Sequence, residues 1–493
     1  MNLMKSLFLG SAAGLVAMTG AQAADLPLKA KAVEYVKVCS LYGAGFYYIP
    51  GTDTCLKLGG YLRADMGVNT NGVQTGNTGG LGGARNRLSN DFTWRARANL
   101  NIDTRTATEY GVVRTYFDAN YTWTSGGYSG TGATTYDGSV NGGVSGGQLG
   151  LNFAFIQFAG FTMGKAVSLF STPWGAYPGN IYDGLVGGGG TTSQGVNQFA
   201  YTAEFGNGVS ASVGVQDPSA YYQAGINNLA VAGPFGYGAS DYAGTKAPDV
   251  VGQIRVDQAW GLFQASVAAH DNNAAYYAGP LGQLNNGPGD KWGWAGQLGL
   301  QIKNIPTGPG DTINVSGVYT NGATRYNFQE LAGTAGANTI YTGVTGVGFG
   351  FAPDAVFDTG GQLQLVSTWG VRGAFNHNWN AYWSSSVFGA YASVRYTGAA
   401  KTAMCGLGGT VSRLISLGGT CNPDYNIGQV GANLRWTPVR NLTFTTEAVY
   451  SMLDQKYAGT VNAANAGLAK PAGDYTLKDQ NTWTVMLRAQ RTW

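Results

Sequence analysis

The sequence predicts an all-β protein, a 16-stranded antiparallel transmembrane β-barrel with short periplasmic turns and long extracellular loops. Three observations support this prediction. The composition is rich in glycine, with 79 among 493 residues, while only 11% of the residues are charged. Apolar and polar residues alternate with period two over long segments. The connections between these segments are alternately short and long, as in barrels with one-sided loops.

The composition excludes several classes of protein. Low charge with 12% aromatic residues does not fit a disordered chain, which needs high charge and few aromatics. Frequent glycine argues against a mostly helical protein, because each glycine costs about 1 kcal/mol relative to alanine in a helix. A net charge of +3 gives no basic field for nucleic acid. Two histidines and four cysteines leave little material for a transition-metal or thiol enzyme, so no metal or other cofactor is expected.

Residues 1–23 have the organisation of a secretory signal peptide. Lys5 supplies a positive charge, the segment Leu7–Met18 is apolar, and Ala21-Gln22-Ala23 has the small-x-small form of a cleavage site. After Ala23 no run of 18 apolar residues occurs, which excludes a bundle of transmembrane helices. An exported chain of this kind is either a secreted β protein or an outer-membrane barrel.

The alternating segments are long enough to cross a membrane as tilted strands. From Phe92 to Asp103 one parity reads Phe, Trp, Ala, Ala, Leu, Ile and the other reads Thr, Arg, Arg, Asn, Asn, Asp. A globular strand has about five or six residues, whereas a tilted transmembrane strand needs about 9–11. Residues 56–493 are predicted to form the barrel domain. Its predicted strands are 56–68, 88–104, 110–122, 150–159, 161–170, 196–205, 208–216, 249–258, 260–270, 290–303, 311–320, 362–376, 380–396, 425–437, 441–454 and 480–493.

The loop lengths separate a barrel from a soluble sandwich. Short predicted turns include 206–208, 306–310 and 438–441. A sandwich has no reason to place its long loops at every second connection, whereas a barrel with short periplasmic turns does so. The long connections are 123–149, 171–195, 217–248, 321–361, 397–424 and 455–479.

The polar parity predicts a water-filled interior. A membrane sheet must close, because every backbone polar group in hydrocarbon needs a partner, and its apolar parity then meets lipid. Sixteen strands leave a lumen wide enough for water. The alternative is a network of paired charges that fills a plugged barrel. The polar parity is predicted to carry Lys57, Arg63, Arg95, Arg97, Arg114, Arg255, Lys303, Arg372, Arg395, Arg435 and Arg488, with Asp65, Asp103, Asp118, Asp257, Glu204 and Glu447.

The connection 171–195 differs in composition from the other long loops. It contains two prolines together with Trp174, Tyr177 and Tyr182, whereas the others are rich in glycine and threonine. A loop with rigid and aromatic residues can fold inward and pack against the wall, so that Asp183 faces basic residues of the first strands. Opposed acidic and basic groups set size and charge selection at a narrow point. An ordinary surface loop is an equally good reading of the composition.

The four cysteines form two equally spaced pairs, Cys39 with Cys55 and Cys405 with Cys421. Periplasmic oxidation favours two local disulfides, and the first would lie in a periplasmic N-terminal segment, residues 24–55. No CxxC motif occurs and no histidine is nearby, which argues against a metal site. His270 is expected at a strand end and His377 in a short turn, both solvated and neither placed as a hydrolase base.

The segment Cys39–Asp65, CSLYGAGFYYIPGTDTCLKLGGYLRAD, resembles the N-terminal signature of the alphaproteobacterial general porins. The start ADLPLKAKAVEYVKVCS and the end RAQRTW are also similar, and the resemblance covers essentially the whole mature chain. It implies a multi-pass barrel in the bacterial outer membrane, in contact with outer-membrane lipid and lipopolysaccharide. It also implies a homotrimer and passive diffusion of ions and small hydrophilic solutes.

The resemblance implies roles for single residues as well. Family porins fold the third loop into the lumen as a constriction, which makes Asp183 the expected acid of that constriction. Trp493, in place of the usual terminal Phe, would be read by the barrel-assembly machinery. Two other classes stay open: an adhesin or receptor barrel with a closed lumen, and a barrel lipid hydrolase, which the shortage of histidine disfavours. The basic residues expected opposite Asp183 are Lys57, Arg63, Arg95, Arg97, Arg114 and Lys165.

Overall fold

The computed structural model describes most of the predicted barrel and parts of its long loops. The predicted signal peptide and Asp183 lie outside the described residues. The described residues are 37–69, 92–124, 148–174, 181, 185–188, 193–219, 222–228, 242–275, 289–328, 337–338, 346–348, 350–357, 362–406, 412, 415–416, 418–462 and 471–493.

Sixteen antiparallel strands form one closed sheet. Each strand pairs with the next in the chain, and the last pairs with the first, so the ladder has no free edge. Closure satisfies the backbone groups that a membrane cannot hydrate. No helix among the described residues is long and apolar enough to cross a membrane. The strands are β1 Thr54–Val68, β2 Phe92–Thr108, β3 Gly111–Thr124, β4 Gln148–Phe158, β5 Phe161–Ala166, β6 Val196–Gly206, β7 Val209–Gln216, β8 Asp249–Gln258, β9 Gly261–Asn272, β10 Lys291–Lys303, β11 Thr312–Asn321, β12 Ser367–Asn378, β13 Trp383–Arg395, β14 Tyr425–Val439, β15 Leu442–Gln455 and β16 Gln480–Thr492.

The predicted fold class and strand number are confirmed, and two predicted strands lack four or five residues at one end. The predicted strand 161–170 ends at Ala166, and the predicted strand 362–376 begins at Ser367. The chain leaves the sheet at 167–170 because its backbone carbonyls turn inward. There the carbonyl of Leu169 accepts a hydrogen bond from Gln253 on β8 at 2.7 Å.

The two parities separate as the sequence predicts. Large apolar side chains such as Leu62, Trp94 and Leu298 are exposed on the outer face, which meets lipid. Asp65, Arg95 and other polar residues of the opposite parity are turned into the barrel and mostly buried from solvent. A one-residue register shift between β3 and β4, at Asp118/Ala119, changes the facing of β4 halfway along.

Two charged residues do not follow their predicted facing. Arg395 shares the parity of Val387 and Tyr391, which are exposed on the outer face, so it is not a lumen residue as predicted. Its guanidinium instead bonds the Tyr425 carbonyl at 3.2 Å at the loop end of the sheet. Lys165 shares the parity of outward-facing Phe161.

Both predicted disulfides are confirmed. Cys39–Cys55 ties the segment before the barrel to β1, where the short strand Tyr47–Tyr48 pairs with Cys55 and Leu56. Cys405–Cys421 links α1, Gly398–Cys405, to the chain before β14.

The turn between β10 and β11 is held by one carboxylate. Asp311 accepts hydrogen bonds from the hydroxyl of Thr307 at 2.6 Å, the N–H of Asn378 at 2.8 Å and Nδ1 of His377 at 2.6 Å. Burial alone would raise the pKa of Asp311, but these three donors outweigh it and lower the pKa to about 2. His377 lies in β12 and is bonded rather than solvated, contrary to expectation.

The cores lie inside the barrel, where loops pack on one part of the inner wall. On β8–β11 the inward side chains of Val251, Ala268 and Val318 form a cluster with Phe170 and Tyr326. On β13–β15 an apolar inner wall is covered in the same way by residues of the long loops. Met486 on β16 also belongs to this second cluster, whereas the inward side chains of β1–β3 belong to neither cluster and are mostly polar.

Candidate functional site: the inner wall and the inward loop

The polar inner wall carries an arginine cluster around Asp65. Asp65 on β1 accepts a hydrogen bond from Nε of Arg95 on β2 at 2.6 Å and from Nε of Arg488 on β16 at 2.7 Å. All three groups are largely buried. One carboxylate therefore neutralises half of the charge of two guanidiniums, and its oxygens are both engaged.

A second ionic group lies closer to the short turns. Asp103 on β2 bonds Arg105 on the same strand and Arg114 on β3, with N–O distances of 3.0 Å in both pairs. Arg114 also donates to the side chain of Gln157 at 3.0 Å and lies 5.2 Å from the ring centroid of Tyr116. Both arginine side chains are 29% exposed, so this group is in contact with solvent inside the barrel.

Arg63 and Arg97 have only neutral partners among the described residues. The two residues are directly paired across β1 and β2. Nε of Arg63 donates to Gln490 at 2.8 Å, and Nε of Arg97 donates to Thr122 at 2.9 Å. Two like charges at paired positions destabilise a sheet unless water or an anion lies between them. This pair is the least neutralised part of the wall.

The inward loop contacts the barrel on the β8–β10 side first. The carbonyls of Phe170 and Ser171 accept hydrogen bonds from Gln297 at 2.9 Å and from Gln264 at 3.0 Å. These glutamines belong to the inward parity of β10 and β9. A backbone that leaves the sheet needs replacement partners, and the inward amides supply them.

The same loop then contacts the wall of β11, β12, β14 and β15. The N–H of Ile181 donates to Glu447 and the N–H of Val186 donates to Gln429, both at 2.8 Å. Gly188 has φ +86°, and a Cβ at that position would lie 2.5 Å from the side chain of Val318. A glycine is therefore required where the loop backbone meets β11. These contacts bring the described parts of 171–195 inside the barrel.

Five of the predicted site residues lie on one part of the inner wall. Arg63, Arg95, Arg97 and Arg114 lie together on the inner wall of β1–β3. Lys57, on the same wall near the short turns, lies against the Phe46 ring at 5.8 Å.

Lys165 and Asp183 are not part of that group. The register pairs Lys165 with Asn197 and Ala154, and its Nζ donates to the Leu151 carbonyl at 2.7 Å. Its predicted place in the lumen cluster is therefore wrong, because within β5 it shares the outward parity of Phe161. Asp183 lies outside the described residues, and its role stays a prediction.

Sequence reasoning missed a buried cluster around His270, which was expected to be solvated. Its Nδ1 lies 2.7 Å from Asp249 and its Nε2 lies 2.9 Å from the hydroxyl of Tyr242. Asp354, from the long loop between β11 and β12, lies 3.5 Å from the same Nε2 and accepts from Tyr242 at 3.0 Å. His270 thus joins two extracellular loops to the inner wall. A histidine on the inward parity, two residues before a strand end, was the available signal.

The His270 cluster is held together by hydrogen bonds and ionic contacts. Asp354 also accepts from the N–H of Ala224 at 2.7 Å and from the hydroxyl of Thr324 at 3.0 Å. Burial alone would raise the pKa of Asp354, but its interactions with His270 and with the N–H groups of Thr324 and Ala224 hold it below the ordinary value. Within the described part of the chain no group of His, Cys, Asp and Glu is arranged to hold a metal ion.

The chain matches known proteins over most of its length. The family model described as "Porin subfamily" matches residues 25–486. Porin Omp2b of Brucella suis is 36% identical over 276 residues, which cover 54% of this chain and 66% of that protein, just under two thirds. Porin Omp2a of Brucella melitensis is 37% identical over 280 residues, again 54% of this chain and 66% of that protein.

A solved structure agrees in fold. The outer-membrane channel DcaP of Acinetobacter baumannii has a TM-score of 0.57 and 16% identity, and the match covers 90% of this chain and 99% of that one. At this identity the likeness supports the architecture alone. Porins are channel proteins, and the family match, with the closed barrel, means that this chain belongs to a porin subfamily of bacterial outer-membrane β-barrels rather than to an enzyme family.

Proposed function

We propose that the protein is a general porin that forms a water-filled channel for passive diffusion of ions and small hydrophilic solutes. The observation that carries the proposal is the state of the charged groups inside the closed sheet. Arg105, Arg114, Lys303 and Asp257 keep between 29% and 41% of their side-chain surface accessible. Ionised groups inside a membrane barrel need water or partners, and these four side chains have ion-pair partners and are also accessible to water.

Single-channel recording of the purified full-length protein in a planar lipid bilayer tests this function. Large, long-lived conductance steps are expected. Silence from folded protein, identified by its heat-modifiable migration in detergent gels, would instead favour a receptor or adhesin barrel with a closed lumen. The loop-covered apolar clusters on β8–β15 are the observation that keeps this alternative open.

We further propose that the loop 171–195 is the constriction, with Asp183 as its acid and Arg63, Arg95, Arg97 and Arg114 on the facing wall. The contacts of Ile181 with Glu447 and of Val186 with Gln429 support this role because they hold the loop within the lumen. Asp183→Asn should shift the reversal potential in a salt gradient toward anions. An unchanged reversal potential would exclude Asp183 from the constriction.

The oligomeric state, the assembly signal and the location of the N-terminal segment are also proposals. A homotrimer predicts conductance that closes in three equal steps and a cross-linked band at three times the monomer mass. Removal of Trp493 should slow barrel assembly if the assembly machinery reads this residue. Residues 24–55 are proposed as periplasmic, and a protease confined to the periplasm should reach them.

A further inference from the structure

The polar part of the inner wall carries an excess of positive charge. On β16 and β1–β3 the inward parity has seven basic side chains against three carboxylates, a net charge of +4 among the described residues. The basic residues are Lys57, Arg63, Arg95, Arg97, Arg105, Arg114 and Arg488, and the acidic ones are Asp65, Asp103 and Asp118.

The three carboxylates are already occupied by other partners. Asp65 bonds Arg95 and Arg488, and Asp103 bonds Arg105 and Arg114. Asp118 accepts from the side-chain amides of two asparagines, on β2 and β4. The acids therefore do not neutralise Arg63 and Arg97, which keep a full charge each at paired positions.

The guanidinium of Arg63 is held in one orientation. Its central carbon lies 4.4 Å from the centroid of the Tyr61 ring, and its Nε is bonded to Gln490. The Tyr61 hydroxyl donates in turn to Asn120 at 3.2 Å. Arg97 is oriented by the Nε bond to Thr122. Because each Nε is engaged, the Nη groups of both arginines, which bond no other described residue, remain for a ligand.

Two oriented guanidiniums with free Nη groups match an oxyanion. A guanidinium presents its N–H donors as a rigid fork, which bonds phosphate or carboxylate oxygens in pairs. A second fork at the paired position contacts a second oxygen set, so the pair favours groups with several charged oxygens. Among the described residues the carboxylates of this wall are already engaged by arginine or asparagine side chains, so they offer a cation little.

We propose that Arg63 and Arg97 form an oxyanion-binding station in the lumen, and that small phosphorylated or polycarboxylate solutes are the class that this channel favours. The transport part of this inference rests on the proposed porin function. The binding part requires only the folded barrel. The channel then holds such anions briefly during passage instead of only screening them by size.

The test uses inorganic pyrophosphate as the probe and the full-length protein in detergent. Isothermal titration calorimetry should show saturable binding to the natural protein. Affinity should fall at least tenfold in Arg63→Gln and in Arg97→Gln. Arg63→Lys should lose nearly as much, because a lysine keeps the charge and loses the fork. Heat-modifiable migration verifies that each variant is folded.

Arg255→Gln is the matched control, since it removes the same charge from the opposite wall, where Arg255 bonds Asp257 at 2.8 Å. Its affinity for pyrophosphate should stay within twofold of the natural protein. Equal losses in Arg255→Gln and Arg63→Gln would overturn the station in favour of a diffuse field. Absence of binding by the natural protein would also overturn it. Citrate in place of pyrophosphate distinguishes a phosphate preference from a carboxylate preference.

Bilayer recording separates this inference from the proposed function. Pyrophosphate should produce transient blockades of the natural channel that disappear in Arg97→Gln. An open channel without blockades would reject the station and leave the porin function intact. Pyrophosphate binding by a barrel that never conducts would reject the porin function and leave the station intact.

Discussion

Asp354→Asn should release two extracellular loops from the barrel wall. Asp354 is fully buried and accepts from Ala224, Thr324 and Tyr242, while His270 lies 3.5 Å away. An asparagine has nearly the same shape but brings a donor into a site built for an acceptor. It also removes the negative charge that faces His270.

The cost follows from the bonds that are lost. Removal of one partner from a buried ionic pair costs about 3–5 kcal/mol, because the other charge stays buried without compensation. Single hydrogen bonds to a charged group contribute about 1.5–3 kcal/mol each, so the loss of about two such bonds gives a cost of the same size. Local opening of the loops should therefore become at least about a hundredfold more frequent, since about 1.4 kcal/mol corresponds to a factor of ten.

Limited proteolysis of the folded protein measures this opening. When loops open and close faster than they are cut, the cleavage rate follows the population of the open form. Cleavage between 217 and 248 and between 321 and 361 should accelerate by about two orders of magnitude. Cleavage in the short turns should not change.

The matched control is Asp290→Asn. Asp290 bonds Lys246 at 3.1 Å, and both side chains are largely exposed. Exposed pairs contribute about 0–1 kcal/mol, so less than a fivefold change is expected. If Asp354→Asn accelerates cleavage no more than this control, the His270 cluster does not hold the loops and the reasoning is wrong.

Four further outcomes are expected. Acidification below about pH 4 should progressively mimic Asp354→Asn. The pKa of Asp354 is lower in the folded than in the unfolded protein, so its carboxylate stabilises the fold at higher pH and loses this contribution as the pH falls. Loop cleavage that is constant from pH 7 to pH 3 would contradict this. At pH 3 the natural protein should still have a higher melting temperature than the Asp311→Asn variant, because the pKa of Asp311 is about 2 and its carboxylate is still ionised. Coincident melting curves would refute this. Replacing Cys39 and Cys55 by serine should lower the free energy of unfolding by about 3 kcal/mol relative to the oxidised natural protein, measured by denaturant unfolding, and the difference should disappear when both proteins are reduced. Gly188→Ala should increase current noise, because its Cβ collides with Val318, whereas alanine at exposed Gly150 on β4 should be silent.

The strands could be predicted from the sequence because the membrane imposes a simple rule on them. Period-two alternation over long runs identified most of the sixteen, although the predicted strands 150–159 and 161–170 alternate poorly, and the direction of Arg63, Arg97 and Arg114 followed from parity alone. Alternation fails where the ladder is irregular. The bulge at Asp118/Ala119 shifts the parity of β4 by one residue. Lys165 was assigned to the lumen from the family resemblance, whereas parity within β5 places it with outward-facing Phe161.

The loop contacts could not be predicted from the sequence. Composition indicated that 171–195 could turn inward, but not that Ile181 would meet Glu447 or that Val186 would meet Gln429, since these pairs lie 266 and 243 residues apart. His270 was misjudged for the same reason, because Asp354 reaches it from a loop that carries no pattern. Partners supplied by distant, irregular segments leave no periodicity to read.

The seam between β1 and β16 has a consequence for how the barrel forms. The bond from Arg63 to Gln490 joins residues that are 427 positions apart, whereas strands that follow one another in the chain are joined by short turns or by loops of a few tens of residues. Strand pairing across so long a loop is slow, because the chain loses the entropy of closure before it gains the contacts. Until β1 and β16 pair, they are two unpaired edges at opposite ends of a hydrophobic sheet, and such edges can pair with strands of other chains. The arginine cluster at Asp65 spans this seam. Its contact between Asp65 on β1 and Arg488 on β16 can therefore form only when the barrel closes.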